Sequence, residues 1–176
     1  LESVTACDAL IECSAEPSVH AGYGGSPSYL VNTNLFGTAN CLKFARKRGA
    51  AVIFLSTSRV YPIAPLRALP LEERGDRFAL PAAAAATGIS PEGISAEYPL
   101  KGSRSLYGAT KLASELLLEE DGAMYALRYI VNRCGVIAGP RQMGKVDQGC
   151  FSLWAARHLW NKPLAYMGFG GRGLQV

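Results

Sequence analysis

Ala51-Val52-Ile53-Phe54-Leu55-Ser56-Thr57-Ser58 decides the fold. An unbroken apolar run of strand length stops at three hydroxyl-bearing residues. Such runs belong to strands buried on both faces, as in parallel sheets covered by helices. Just upstream, Val31, Leu35, Leu42 and Ala45 recur at helical spacing between Ser28 and Arg48, and Gly49 is placed to close that helix. Further upstream, Ala9-Leu10-Ile11-Glu12-Cys13 follows Asp8 and is stopped by Ser14-Ala15-Glu16-Pro17, and it reads as another buried strand. Strand, long helix, strand predicts an α/β fold with a parallel sheet. In such sheets ligands bind outside the carboxyl ends of the strands, which places Ser56, Thr57 and Ser58 at a ligand-facing edge.

Downstream the pattern breaks. Between residues 62 and 104, Pro62, Pro65, Pro70, Pro81, Pro91 and Pro99 predict a long excursion with at most one helical turn. Long excursions in compact domains are usually functional. Ser103-Arg-Ser-Leu-Tyr-Gly-Ala-Thr-Lys-Leu-Ala-Ser-Glu-Leu-Leu-Leu-Glu-Glu120 then predicts a helix with Ser103 or Ser105 as its N-cap. Its expected docking stripe is Leu112, Ala113, Leu116 and Leu117, with Glu115, Glu119 and Glu120 on the solvent side. Residues 126–131 read as a strand, Phe151 to Trp160 as an amphipathic helix, and Pro163 to Met167 as a short final strand.

The helix after the excursion carries Tyr107 and Lys111 four residues apart, hence on one face and one turn from each other. A phenol with an ammonium beside it is a proton-transfer pair, because positive charge favours tyrosinate. In a chain with 8 Tyr the spacing alone is weak, since chance supplies such matches. Asn34, inside the long helix, is the other conspicuous polar residue. A buried amide needs partners, and it serves either as a structural bridge between elements or as part of a site.

Composition narrows the function classes. The 176 residues suit one domain, or one and part of another, and 49% hydrophobic with 18% charged residues can form a real core. The net charge of +4 is scattered; the one basic run, Arg46-Lys47-Arg48, falls at a helix C-terminus, where the dipole accounts for it. Nucleic acid is therefore not an expected partner. No apolar run reaches the length of a membrane span, so no membrane association is expected. The 5 cysteines include no Cys-x-x-Cys and only His20 and His158 accompany them, so reduced thiols in a cytoplasmic protein without a metal site are expected. The chain begins at Leu1 rather than Met and reads as an internal part of a longer protein.

Three segments together carry more than any one. Asn34-Leu35-Phe36-Gly37-Thr38, Leu55-Ser56-Thr57-Ser58-Arg59-Val60-Tyr61 and Tyr107-Gly108-Ala109-Thr110-Lys111, in this order, resemble the extended short-chain dehydrogenases/reductases, in particular the NAD-dependent epimerase/dehydratase family. Arg59, the stretch Gly93-Ile94-Ser95-Ala96-Glu97-Tyr98-Pro99-Leu100, and Gly139-Pro140-Arg141-Gln142 with Asp147-Gln148-Gly149 give the resemblance a CDP-paratose (CDP-tyvelose) 2-epimerase cast. It implies a Rossmann-like, doubly wound parallel sheet over residues 1–138, incomplete at the N-terminus and with 62–104 as a long insertion. Residues 139–176 would begin a smaller substrate-binding domain.

The resemblance also implies roles. Tyr107 would take a proton from a sugar hydroxyl as hydride leaves the same carbon for NAD, and Thr57 would hold that hydroxyl. Lys111 would lower the proton affinity of Tyr107 and bind the nicotinamide ribose. Cys13, Ser14, Ala15, Asn34 and Ser56 would line the cofactor with Tyr107 and Lys111. Arg141, Gln142 and Gln148 would face a nucleotide-sugar substrate, here CDP-linked, although Arg141 could equally cap a loop. A homo-oligomer is implied. Dehydratases of the group carry an acid pair directly after the catalytic threonine; Ser58 and Arg59 stand there, which favours an epimerase. A keto-sugar reductase, or a binding module without turnover, are the other readings. Gly168, Gly170 and Gly173 spell a Gly-x-Gly-x-x-Gly string, but only three residues follow it, too few for the helix that would meet a phosphate.

Overall fold

The computed structural model describes residues 3–19, 21–22, 25–75, 77–144 and 149–164. Gln148, the glycine string at 168–173 and most of the expected final strand lie outside them. Strands β1 (Ala9–Glu12), β2 (Ala51–Thr57) and β7 (Tyr129–Cys134) form one parallel sheet in the order β1-β2-β7. Leu10 lies beside Val52, Glu12 beside Phe54, and Thr57 beside Cys134. The α/β fold and the parallel sheet are as expected, with β2 two residues longer, so that Ser56 and Thr57 end the strand rather than follow it.

The helix between β1 and β2 is not uniform. Helix α1 (Ser28–Val31) passes through a π-helical turn (Asn32–Phe36) into helix α2 (Gly37–Arg48). Gly49 closes α2 with φ 67°, the left-handed conformation that a side chain disfavours. Helix α4 (Leu106–Tyr125) is capped by Ser105, whose side chain accepts from the Gly108 N–H at 3.1 Å. Leu42 and Ala45 of α2 and Leu118 of α4 meet Val52 and Phe54 of the sheet in the main core. Both helices thus share one face of the sheet. On the other, Ile11 and Ile130 are exposed, and the second covering layer of a doubly wound fold is not among the described residues.

Helix α4 corrects the expected docking stripe. Leu116 and Leu117 are exposed, while Gly108, Thr110, Lys111, Ser114, Glu115, Leu118 and Asp121 are buried. The face turned to the sheet is mostly polar. Glu115, expected on the solvent side, is 7% exposed, because its carboxylate takes the Arg133 guanidinium at 2.8 Å and the Ser56 hydroxyl. Asp121 anchors the same face to Arg46 of α2. The buried face lies on the opposite side of the helix from the expected leucine stripe, because burial here follows hydrogen-bond partners rather than hydropathy.

The excursion is ordered in small pieces: helix α3 (Ile63–Arg67), the hairpin β3 (Glu72–Arg74) with β4 (Arg77–Ala79), and β5 (Ile89–Ser90) with β6 (Gly93–Ile94). Val60, Tyr61, Leu66 and Tyr98 form its own small core, with the Tyr61 and Tyr98 rings edge to face at 5.8 Å. Helix α5 (Cys150–Leu159) corresponds to the expected amphipathic helix, but Phe151, Leu159 and Trp160 are exposed rather than in a core.

Candidate active site at the carboxyl edge of the sheet

Thr57 ends β2, and a single 3-10 turn (Ser58–Val60) follows immediately. Its Oγ1 accepts from the Arg59 N–H at 3.2 Å, which fixes the turn to the strand end. The first turn of α4 packs on that turn from above: a Cβ at Gly108 would run into the Arg59 carbonyl oxygen. Only glycine permits this approach, and it delivers the neighbouring Tyr107 to Thr57. Thr57 and the Arg59 charge both act on the Tyr107 phenol. Burial pushes the Tyr107 phenol above its ordinary value, and Thr57 and Arg59 pull it back only in part. The structure therefore places Thr57 close to Tyr107.

Lys111 is 2% exposed, and its Nζ sits 4.1 Å from the centroid of the buried Phe54 ring. Burial lowers its pKa; the negative groups opposing this are Glu12, Cys13, Glu115 and Cys134. The ammonium is thus turned toward the sheet and the end of β1, one turn below the phenol. Its neighbour Glu12 was not anticipated as a site residue. This carboxylate is buried at the end of β1, accepting from the Ser14 N–H at 3.1 Å, from the Ser14 hydroxyl and from the Thr38 hydroxyl at 2.8 Å. An ionisable residue closing an apolar strand was the signal for it.

Asn34 is a bridge between elements of the candidate site. It is 1% exposed, accepts from the Glu16 N–H at 2.8 Å, and donates to the Glu16 carbonyl and the Thr110 hydroxyl at 3.3 Å each. One amide thereby holds the loop after β1 to the helix that carries Tyr107 and Lys111. Cys13 and Ser14, in that loop, are exposed and Ala15 is half-buried. The Ser14 N–H is already engaged by Glu12, so only other groups of this loop face a ligand freely. Ser56 is buried and bound to Glu115. Arg141 is exposed with φ 67°, and Gln142 donates its side-chain amide to the Ile137 carbonyl at 3.2 Å. Neither is hydrogen-bonded to Thr57, Tyr107 or Lys111 among the described residues.

The second unanticipated element is Arg133 on β7. Besides its bidentate pair with Glu115, it donates to the Ala96 carbonyl at 3.0 Å and the Tyr61 hydroxyl at 3.4 Å. It therefore ties sheet, helix and excursion together around the site. No sequence pattern marks it, because its partners come from three distant segments.

The residues present fit the nicotinamide end of a dinucleotide: an exposed loop at the end of β1, held in shape by Asn34, lies above a buried ammonium and a phenol. Among the described residues no strand passes directly into a helix through a Gly-x-Gly-x-x-Gly turn; the loop after β1, which carries Gly22 and Gly25, runs from Cys13 to Pro27, so the expected pyrophosphate fingerprint is not among them.

Comparison with known proteins agrees with this geometry. The sequence profile of the family described as "NAD dependent epimerase/dehydratase family" matches residues 1–174. No curated protein matches the sequence. Among solved structures, UDP-glucose 4-epimerase from Thermotoga maritima, with UDP-glucose, is 24% identical with a TM-score of 0.63, over 93% of this chain and 45% of that one. UDP-glucose 4-epimerase from Thermus thermophilus, complexed with NAD, is 25% identical with a TM-score of 0.61, over 90% and 43%. A dTDP-glucose 4,6-dehydratase (a double mutant of DesIV) from Streptomyces venezuelae, with NAD bound, is 24% identical with a TM-score of 0.59, over 92% and 42%. The chain thus spans less than half the length of these proteins. No helix among the described residues is long and apolar enough to cross a membrane.

Proposed function

Because the chain belongs to the NAD dependent epimerase/dehydratase family, we propose that its protein is an epimerase of nucleotide-diphosphate sugars. The observation that carries this is the identity of the groups around the phenol. The groups acting on Tyr107 are Thr57, Arg59 and Cys134, and Ser58 and Arg59 fill the turn after Thr57. Expelling a hydroxyl as water needs an acid placed to protonate it; no carboxylate stands in this turn. Epimerisation needs none, since no group leaves.

Tyr107, ionised, takes the proton of the sugar hydroxyl while Thr57 holds that hydroxyl. Bound NAD supplies a transient acceptor for the hydride of the same carbon. Tyr107 then holds the proton until the keto-sugar has presented its other face, and returns it to the oxygen as that carbon takes the hydride back. Lys111, Cys13, Ser14, Ala15 and Asn34 shape the nicotinamide end of the cofactor site, with Ser56 behind them. We assign Arg141, Gln142 and Gln148 to binding of the nucleotide-sugar from their sequence motif, Arg141 as a partner for its phosphates. The motifs around Arg59 and at residues 139–149 support a CDP-linked sugar, and the enzyme works as a homo-oligomer in the cytoplasm.

Full-length protein offered UDP-, dTDP- and CDP-sugars should interconvert two epimers with no net nicotinamide absorbance change. Tyr107→Phe should lose about 10²-fold or more in turnover while retaining cofactor. Loss of water from the sugar instead would establish a dehydratase, and net oxidation or reduction of the sugar would establish a dehydrogenase or reductase.

A further inference from the structure

We propose that Glu12 is a positioning residue: its buried carboxylate, at the end of β1, is the counter-charge that keeps the Lys111 ammonium charged inside the protein. The place of Lys111 beside the cofactor rests on the reading above; the pairing of the two charges does not.

Hydrogen bonds fix where the carboxylate stands. Glu12 is 3% exposed, and its two oxygens serve different elements. Oε1 accepts from the Ser14 N–H at 3.1 Å and from the Ser14 hydroxyl, and Oε2 lies 2.8 Å from the Thr38 hydroxyl of α2. Glu12 is registered beside Phe54 of β2, so the two side chains leave the sheet on the same face, about 4.8 Å apart at the backbone. That is the face on which Phe54 packs with Leu42 of α2 and Leu118 of α4. Lys111, 2% exposed, reaches from α4 onto the same ring, with its Nζ 4.1 Å from the centroid. Carboxylate and ammonium thus stand over neighbouring residues of the sheet.

Among the described residues neither charge is matched elsewhere. The close ion pairs join Arg46 to Asp121, Arg74 to Glu72 and Arg133 to Glu115. Glu115, one turn along α4 from Lys111, is taken by Arg133 and by the Ser56 hydroxyl. The other groups around Lys111 are Cys13, which follows Glu12, and Cys134 at the end of β7, thiols rather than carboxylates, with the Tyr107 phenol one turn back. Glu12 is foremost among the negative groups that oppose the effect of burial on Lys111. An ammonium taken out of water sheds its proton unless an opposite charge stands near, and Glu12 offsets that tendency in part. Hydrogen bonding alone does not call for a carboxylate here. The Thr38 hydroxyl has one proton and lies 2.8 Å from both Glu12 Oε2 and the Asn34 carbonyl. A glutamine would donate to Thr38 and leave that proton to Asn34, so all partners would be kept. What glutamate adds is the charge.

Nuclear magnetic resonance of the lysine Cε carbons in the full-length protein reads the charge of Lys111 directly, its signal being the one absent from Lys111→Met. Followed against pH within the range where circular dichroism shows folded protein, the Lys111 inflection should move to lower pH by about one unit in Glu12→Gln. The sign follows from the charge: without the carboxylate the buried ammonium is harder to keep and loses its proton sooner as pH rises. Glu12→Asp, which keeps the charge but draws it back toward β1, should shift the inflection less in the same direction. If Glu12→Gln does not fold, the shift in Glu12→Asp takes its place. An inflection at the parent's pH in the variant, or a Lys111 signal that stays charged through the folded range in parent and variant alike, overturns the proposal. No substrate enters the titration, so failure of the epimerase assignment would leave its result intact.

Discussion

The side chain of Asn34 brackets the peptide of Glu16 from both sides, accepting from its N–H at 2.8 Å and donating to its carbonyl at 3.3 Å. A loop that would otherwise leave two peptide groups without partners is held as a strand would hold it. The same amide reaches Thr110, between Tyr107 and Lys111. The π-helical turn places it there, and the backbone carbonyl of Asn34 lies 2.8 Å from the Thr38 hydroxyl, sharing with Glu12 the one proton that hydroxyl donates. A widened turn of this kind recurs at functional positions in helices.

Asn34→Leu should therefore act twice. Unpartnered peptide groups at Glu16 should cost about 1–3 kcal/mol, seen as a lowered denaturant midpoint. The loosened loop at Cys13–Ala15 should weaken NAD binding in a calorimetric titration at temperatures where the variant is still folded. Unchanged NAD affinity would confine Asn34 to a structural role.

Gly108→Ala adds one methyl group against the Arg59 carbonyl. The helix start must lift from the 58–60 turn, and overpacking of this kind costs about 1–3 kcal/mol. Turnover should fall further than stability does, because Tyr107 moves with the helix. Gly49→Ala, where the φ of 67° is strained but nothing crowds the Cβ, is the control; it should lower stability with little effect on turnover.

The pair of buried Glu115 and half-buried Arg133 should show coupling. Arg133→Met leaves a buried carboxylate without its partner, at about 3–5 kcal/mol, whereas Glu115→Gln leaves a guanidinium that water reaches and should cost less. The double variant should cost much less than the sum. Arg133→Met should in addition release the Ala96 carbonyl and the Tyr61 hydroxyl, and so speed proteolysis within residues 62–104. Additive losses would mean that the pair is not coupled.

Lys111→Met should stabilise the protein while abolishing turnover. Burial lowers the Lys111 pKa from its ordinary value of 10.5, so at neutral pH the folded state carries the full penalty of a desolvated charge. Between the lowered pKa and 10.5 the unfolded chain binds more protons than the folded one, so this penalty fades as pH rises. The advantage of Lys111→Met in unfolding midpoint should thus be largest at neutral pH and shrink in the alkaline range. Tyr107 is common to both proteins, so its own titration largely cancels from the comparison. A constant or growing advantage would contradict the burial argument.

Much of this was legible in the residues. The apolar run at 51–55 marks the central strand of the sheet, because a strand buried between neighbours has few polar positions to interrupt it; the run at 9–13, expected as a buried strand, is an edge strand with Ile11 exposed and Glu12 buried. Ser105 and Gly49 marked helix ends through capping chemistry that is local in sequence. Tyr107, Lys111 and Thr57 could be singled out by residue type and by their places on a helix face and at a strand end.

What tertiary structure alone decided is which polar groups meet. Glu12, Glu115 and Arg133 are ordinary charged residues in sequence, and hydropathy put Glu115 on the outside. Glu115 is inside because Ser56, one strand away, and Arg133, eighteen residues on, converge on it. The sequence by itself determined an α/β chain with a phenol and an ammonium one helical turn apart. The fold decided that the phenol faces Thr57 and Arg59 while the ammonium faces Phe54 and the end of β1. Helical periodicity sets which residues share a face, but the charges opposite that face come from other strands, and only packing brings them there.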